Sequence, residues 1–302
     1  MKGDHIPLLG IDWGTTNRRA YLLDQAGRLV KQQSDEFGIL AVGGDFEGSL
    51  ARLLNEFELD HAEVIMSGMV GSLNGWQQVP YLSIDQPLAR LPESLAELRT
   101  SLPNVRCRIV PGYRYDDAQG TPDVMRGEET QVFGALLLSA SDGWFLHPGT
   151  HSKWIHIREG AITEFSTFMT GELFALLTRY GTLAALMQQR EPAADAFEEG
   201  LRAATRGSLS HAAFGCRALV VTDSMPASHA WSYLSGLLIG SEVQDIQQRN
   251  AGNRAAPVQI IGSPELEAHY QKALKFFGMS AAVWQPDEVY LAALRALAGI
   301  DP

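Results

Sequence analysis

Ile11-Asp12-Trp13-Gly14-Thr15-Thr16-Asn17-Arg18 is an apolar run that ends in an aspartate, turns through Gly-Thr-Thr-Asn, and starts a second alternating run. Alternation across 18–23 predicts a strand, Asp24-Gln25-Ala26-Gly27 has turn chemistry, and 28–33 reads as a third strand. Apolar residues at helical spacing follow over 45–57 (Phe46, Leu50, Leu53, Leu54, Phe57), with Asp45 as the expected N-cap. A short strand at 63–67 is closed by Gly68 and Gly71. The opening therefore predicts a three-strand meander, a helix and a further strand.

The same order returns later in the chain. Residues 144–147 are apolar, Pro148-Gly149-Thr150-His151-Ser152 turns, 153–157 alternates, Arg158-Glu159-Gly160 turns tightly, and 161–168 reads as a strand leading into a helix from Gly171 to about Arg179. Placing Gly14-Thr15 on Gly149-Thr150 gives an offset of 135 residues (149 minus 14), and the same offset sets Arg18 on Lys153 and Asp24 on Glu159. Matching order, turn positions and basic residue point to a duplicated unit, too long for a solenoid repeat. Beyond it, 209–219 and 230–249 read as helices, the latter carrying the small residues Ser235, Gly236, Gly240 and Ser241, which permit close packing. Residues 257–261 form an expected buried strand before Gly262-Ser263, and helices at 264–277 and 287–298 flank a strand at 281–284.

Composition narrows the functional class. The 302 residues carry 24 Lys+Arg against 35 Asp+Glu, a net charge of −11, with 45% hydrophobic residues. That balance argues against nucleic acid or an acidic membrane as partner, because both require a basic face. Cys107 and Cys216 are the two cysteines, too few for a disulfide framework or a thiolate zinc site. Residues 1–7 lack the apolar stretch of a signal peptide and no run is long enough to span a bilayer, so a cytoplasmic protein without a membrane association is expected. No glycine pair is separated by one residue, which removes the dinucleotide-binding and protein-kinase glycine loops, and no Walker-type P-loop occurs.

A hairpin turn containing Gly and Thr offers backbone N–H groups and hydroxyls to phosphate oxygens, and an aspartate at the end of a buried strand suits Mg²⁺. Two such turns would clamp a polyphosphate from both sides. The pair resembles the phosphate-1 and phosphate-2 motifs of the sugar kinase, Hsp70 and actin superfamily, and Ile260-Ile261-Gly262-Ser263 resembles its adenosine motif. Within that superfamily the chain is similar to the bacterial 2-dehydro-3-deoxygalactonokinases. The segments that carry the similarity are 11–18, Ser67-Gly68-Met69-Val70-Gly71-Ser72 with Gly75-Trp76 and Pro80-Tyr81-Leu82-Ser83, and Val124-Met125-Arg126-Gly127-Glu128-Glu129-Thr130-Gln131. Pro148-Gly149-Thr150-His151-Ser152-Lys153-Trp154, Met169-Thr170-Gly171-Glu172-Leu173 and Ser235-Gly236-Leu237-Leu238-Ile239-Gly240-Ser241-Glu242 complete the set.

The resemblance implies an α/β chain of two actin-like (ribonuclease H-like) domains facing across a nucleotide-binding cleft. Residues 1–120, joined by a C-terminal helix at 287–302, would carry the first phosphate hairpin, and 121–286 the second hairpin and the adenosine motif. It implies ATP-dependent phosphorylation of the C6 hydroxyl of 2-dehydro-3-deoxy-D-galactonate in galactonate breakdown. ATP would meet Gly14, Thr15, Thr16 and Asn17, then Gly149, Thr150, His151 and Lys153, then Gly262 and Ser263. Asp12 is the expected Mg²⁺ ligand. Many superfamily members carry an acid just before the second Gly-Thr, where this chain has His147-Pro148, so Asp12 bears more of the metal site alone.

The sugar acid is a carboxylate and calls for a cation, for which Arg126 offers a bidentate fork. Ser67, Gly68, Trp76 and Tyr81 are the other expected substrate contacts, the aromatic rings packing on carbohydrate C–H surfaces. Glu128 or Glu129 would accept the hydroxyl proton or position the sugar acid, and the sequence does not separate them. An exopolyphosphatase-like phosphohydrolase or a non-catalytic actin-like nucleotide-binding protein would use the same hairpins without a sugar-acid pocket. A homo-oligomer is left open.

Overall fold

The computed structural model describes residues 6–249 and 256–300. Most of the N-terminal stretch expected not to be a signal peptide, and the last two residues of the expected 287–302 helix, lie outside the described residues. By internal contacts the described chain divides into two compact units, one of residues up to 142, 156–165 and from 285 onward, the other of 143–155 and 166–284.

Strands β1 (Leu8–Trp13), β2 (Arg18–Leu23) and β3 (Leu29–Asp35) form the expected meander, followed by helix α1 (Phe46–Glu56) and strand β4 (Ala62–Gly68). Further along come β5 (Leu82–Ser83), β6 (Ala96–Leu98), β7 (Val105–Ile109), β8 (Tyr113–Asp116), β9 (Pro122–Met125) and helix α2 (Glu128–Leu137). The first sheet has the order β3-β2-β1-β4-β7-β6. β1 runs antiparallel to β2 with Asp12 opposite Arg19, and parallel to β4 with Asp12 opposite Ser67. Parallel neighbours need a crossover, and α1 supplies it. Asp45 caps this helix by accepting from Gly48 N at 3.0 Å, worth about 1 kcal/mol. Its Phe46, Leu50, Leu53 and Leu54 are buried against Leu9, Ile11 and Trp13, the alternate residues of β1 that face the core.

The second sheet repeats the plan. Strands β10 (Gly143–His147), β11 (Ser152–Arg158) and β12 (Ala161–Phe168) are followed by helices α3 (Thr170–Arg179), α4 (Gly181–Ala184), α5 (Ala194–Ala204), α6 (Leu209–Val221) and α7 (Ala230–Arg249). Strand β13 (Val258–Ile261), helix α8 (Pro264–Phe276), strand β14 (Ala281–Trp284) and helix α9 (Pro286–Leu297) end the described chain. The order is β12-β11-β10-β13-β14, with β13 parallel to both β10 and β14. Two sheets with an antiparallel meander joined edge-on to parallel strands form the α/β, actin-like fold that the resemblance implied. The small residues of α7 do allow close packing: a Cβ on Gly236 would lie 2.0 Å from the Phe197 carbonyl oxygen of α5.

Several elements were not anticipated, β6, β7 and α4 among them. β5, β8 and β9 make a separate small sheet in the order β5-β8-β9, and α5 was not anticipated. Among the described residues no helix is long and apolar enough to cross a membrane.

Candidate functional site

The unit that contains β1 gathers its chemistry at the C-terminal ends of the parallel strands β1 and β4, where open α/β sheets place ligands. Ile11 and Trp13 point into the core, so Asp12 points to the opposite face, the one covered by α9. There Ser67 Oγ donates to Tyr290 OH at 3.4 Å. The Asp12 carboxylate makes no side-chain hydrogen bond among the described residues. Burial raises its pKa, Arg19 on the neighbouring strand lowers it, and Asp287 raises it further. Asp287 is itself engaged, accepting from Tyr21 OH (2.7 Å) and Gln32 Nε2 (2.8 Å).

The turn after β1 is held from one side. Gly14 N donates to Asn17 O at 2.9 Å, while the carbonyls of Gly14, Thr15 and Thr16 accept from Ile39, Leu40 and Gly38 at 3.0–3.2 Å. With the carbonyls occupied in this way, Thr15, Thr16 and Asn17 remain exposed. Arg18, beside this turn, is directed inward: its Nη2 pairs with Asp35 at 2.7 Å and its Nη1 donates to Ser49 Oγ at 3.0 Å. It is thereby committed to the core rather than to a ligand.

Gly68 ends β4 at φ +85°, and Gly127 precedes α2 at φ +110°. A Cβ on Gly127 would lie 3.2 Å from the Gly68 Cα, and a Cβ on Gly68 would lie 2.9 Å from the Trp13 carbonyl oxygen and 3.4 Å from Asp12 Oδ1. Only glycine suits both the backbone angles and the approach. This contact brings Arg126-Gly127-Glu128-Glu129 beside Asp12. Glu128 Oε2 accepts from Arg126 N (3.0 Å), and Glu129 accepts from Gly127 N (2.7 Å) and from Thr130 Oγ1 (2.9 Å). Glu129 is fully buried, and burial first, then the adjacent Glu128, push its pKa up to about 7. Glu128 is half-buried.

Arg126 is 8% exposed. Its Nη2 donates to the Val79 carbonyl at 2.7 Å, but Nε and Nη1 are buried without a hydrogen-bond partner. The guanidinium lies 4.5 Å over the Tyr81 ring. A buried donor left unpaired costs about 1–3 kcal/mol, and more when charged. Trp76 takes a different place: its ring stacks on Phe46 at 6.1 Å and meets Trp13 edge-on, at the margin of the core.

The other unit assembles a second set. Pro148 to His151 link β10 to β11, and a Cβ on Gly262 would lie 2.7 Å from Pro148 Cγ, so the glycine after β13 abuts this turn. Ser263 precedes α8, which starts with Pro264. His151 Nε2 and Glu172 Oε2 are 2.6 Å apart, and Lys153 Nζ donates to Thr167 Oγ1 at 2.7 Å. His147 is buried, which drops its pKa to about 3 and keeps the imidazole neutral. A cavity of about 100 Å³ opens beside Gly149, between the start of α3 and the helices α7 and α8; Phe174, Trp231, Ser235 and His269 contribute to its lining.

The structure thus brings Asp12, Ser67, Gly68, Tyr81, Arg126, Glu128 and Glu129 together beside the first turn, and Gly262 and Ser263 beside the second. It does not set Trp76 in that group. Trp231, Phe174 and His269 were not anticipated, since an aromatic residue at helical spacing reads as core. No cluster of three or more His, Cys, Asp or Glu able to hold a metal ion occurs among the described residues.

Comparison with known proteins follows the same line. The family model for 2-keto-3-deoxy-galactonokinase matches residues 12–297. The 2-dehydro-3-deoxygalactonokinase of Escherichia coli K12 is 33% identical over 294 residues, covering 96% of this chain and 97% of that protein. A crystal structure from Sinorhizobium meliloti, provisionally described as a 2-dehydro-3-deoxygalactonokinase protein, is similar with a TM-score of 0.87 and 30% identity over 96% of this chain and 95% of its own. Component A of (R)-2-hydroxyglutaryl-CoA dehydratase from Acidaminococcus fermentans, 14% identical with a TM-score of 0.50 over 98% of this chain and 99% of its own, shares the fold alone. The chain belongs to the 2-keto-3-deoxy-galactonokinase family.

Proposed function

We propose that this chain transfers the γ-phosphoryl group of ATP to the C6 hydroxyl of 2-dehydro-3-deoxy-D-galactonate. The observation that carries the acceptor class is Arg126: a buried guanidinium with two unpaired nitrogens, packed beside Gly71 and Tyr81 and one residue before the Gly127 that meets Gly68, is a receptor for a carboxylate. A carboxylate oxygen would supply an acceptor that the protein does not give these nitrogens. Tyr81, stacked on the same guanidinium and 39% exposed, presents its ring to whatever lies there.

Asp12 fits a Mg²⁺ ligand. Burial and Asp287 disfavour its charge, and a cation at the strand end would restore it. One carboxylate with substrate phosphates and water is an ordinary Mg²⁺ set, and the ion would neutralise charge on the transferred group. The exposed Thr15, Thr16 and Asn17 would hold phosphate oxygens at the first turn, and Gly149, Thr150, His151 and Lys153 at the second. Gly262 and Ser263 would border the nucleoside. Glu128, half-buried, would accept the hydroxyl proton, whereas Glu129, sealed and bonded to Gly127 and Thr130, would brace the turn that carries Arg126.

The test is coupled ADP release from ATP and Mg²⁺ with and without 2-dehydro-3-deoxy-D-galactonate. Release that depends on the acceptor, with product phosphorylated at C6, is expected. Phosphate release independent of the sugar acid, or no turnover with it, would overturn the reading.

A further inference from the structure

Helix α7 is built mainly from apolar and small residues, yet position 242 holds a glutamate that is 2% exposed. A carboxylate so placed is expensive unless donors surround it. Three do. Trp154 Nε1 donates to Oε1 at 2.6 Å, Tyr270 OH donates to Oε2 at 2.8 Å, and Thr170 Oγ1 donates to the same oxygen. Tyr270 OH also lies 2.9 Å from Ser152 Oγ; since the tyrosine proton goes to Glu242, Ser152 is the donor of that pair.

These donors lie on both flanks of one turn. Ser152 and Trp154 open β11, immediately after Pro148-Gly149-Thr150-His151. Thr170 opens α3, and the next two residues dock on the turn: a Cβ on Gly171 would sit 2.3 Å from the Gly149 carbonyl oxygen, and Glu172 N donates to the Thr150 carbonyl at 2.9 Å. Thr170, Gly171 and Tyr270 also line the cavity beside Gly149. One carboxylate thus ties β11, α3, α7 and α8 to the same four-residue turn. The hydroxyls and the indole have few alternative partners in a buried site, so they hold their orientation only while an acceptor stands between them.

We propose that Glu242 is a positioning residue that fixes the 148–151 turn in its phosphate-holding shape, a role that rests on reading that turn as part of the nucleotide site. It touches neither substrate and acts through Thr170 and Tyr270. The Glu242→Gln variant can keep the Trp154 bond by turning its amide oxygen to the indole and its NH₂ to the hydroxyls, which then accept, so it reverses the donors at Thr170 and Tyr270 without opening a void. Ser152→Ala removes the bond to Tyr270 and keeps Trp154, Thr170 and Tyr270 as donors to Glu242.

The experiment measures melting temperature, kcat, KM for each substrate, and calorimetric ADP affinity for the wild type and both variants. We expect KM for ATP and the ADP dissociation constant to rise about tenfold in E242Q and threefold in S152A, with KM for the sugar acid within twofold. Nucleotide constants within twofold of wild type in folded E242Q, or in S152A should E242Q not fold, would overturn the role of Glu242. Equal rises in both KM values would overturn it as well, since that pattern reports general loosening. A wild type that binds no ADP would instead remove the nucleotide reading on which the role depends.

Discussion

The guanidinium of Arg126 lies 4.5 Å over the ring of Tyr81, with Nε and Nη1 sealed from solvent and unpaired. Stacking recovers part of the desolvation cost of the charge but fills neither hydrogen-bond position. In the proposed role, a ligand carboxylate supplies an acceptor that the protein withholds.

Replacing Arg126 by methionine should consequently raise KM for the sugar acid by about 100-fold while leaving KM for ATP nearly unchanged. Melting temperature should stay level or rise, because an unpaired buried charge is removed and the side-chain volume is largely kept. A fall of several degrees would mean that the arginine serves the fold.

Asp12→Asn tests the metal site. Turnover with ATP and Mg²⁺ should fall by roughly 100-fold or more, since charge neutralisation on the transferred group is lost. Folding at neutral pH should not suffer, because burial already disfavours the charged carboxylate. Near-normal turnover across a Mg²⁺ titration would show that the ion is held elsewhere.

The two glutamates should separate cleanly. Glu128→Gln is expected to lower kcat by about 100-fold or more, the usual size of a lost general base. Glu129→Gln keeps both hydrogen bonds, with its oxygen toward Gly127 and its NH₂ toward Thr130, and should lose less than about tenfold. Equal losses in the two variants would contradict the division of roles.

Glu129 also predicts a pH dependence of stability. Its carboxyl titrates near 4.5 in the unfolded chain and about 7 when folded, so between these values the folded state binds more protons. Its contribution therefore favours folding below about pH 4.5 and is lost as pH rises through about 7. The gain in melting temperature of E129Q over wild type should be larger at pH 8 than at pH 5. A gain of the same size at both would mean that the group is not buried as a neutral acid.

Gly127→Ala addresses the join between the strand ends. The left-handed φ of +110° and the 3.2 Å approach to Gly68 should together lower stability by about 1–3 kcal/mol. Activity should fall with it, because Arg126 and Glu128 flank the shifted residue. Denaturant unfolding alongside a kinetic assay checks both; unchanged values would mean that the turn relaxes without consequence.

The hairpins, the N-cap at Asp45 and the parallel strands at 62–68 and 258–261 were legible because their signals are local. Turn residues, apolar period and capping side chains are properties of neighbours in sequence. The small sheet of β5, β8 and β9 was not legible: its strands are short and mostly exposed or half-buried, without the concentration of Val and Ile that marks the equally short strand at 258–261. Helix α5 was not anticipated, although its buried Ala196, Phe197, Gly200, Leu201 and Ala204 lie on one face.

For the site, the sequence by itself determined which residues stand at the two Gly-Thr turns, that a basic residue and two acids follow one another at 126–129, and which family these motifs belong to. Tertiary structure decided what those residues are free to do. Arg18 and Arg126 look alike in sequence, yet Asp35 and Ser49, brought in by β3 and α1, occupy the first, while the loop at 70–79 takes one nitrogen of the second through the Val79 carbonyl and leaves Nε and Nη1 unpaired. Glu128 and Glu129 are adjacent, yet one is sealed and the other half-exposed. Glu242 gains its donors from β11, α3 and α8, at separations of 28 to 88 residues. Burial and hydrogen-bond partners come from distant segments, and they set charge, orientation and reach where local pattern sets only identity.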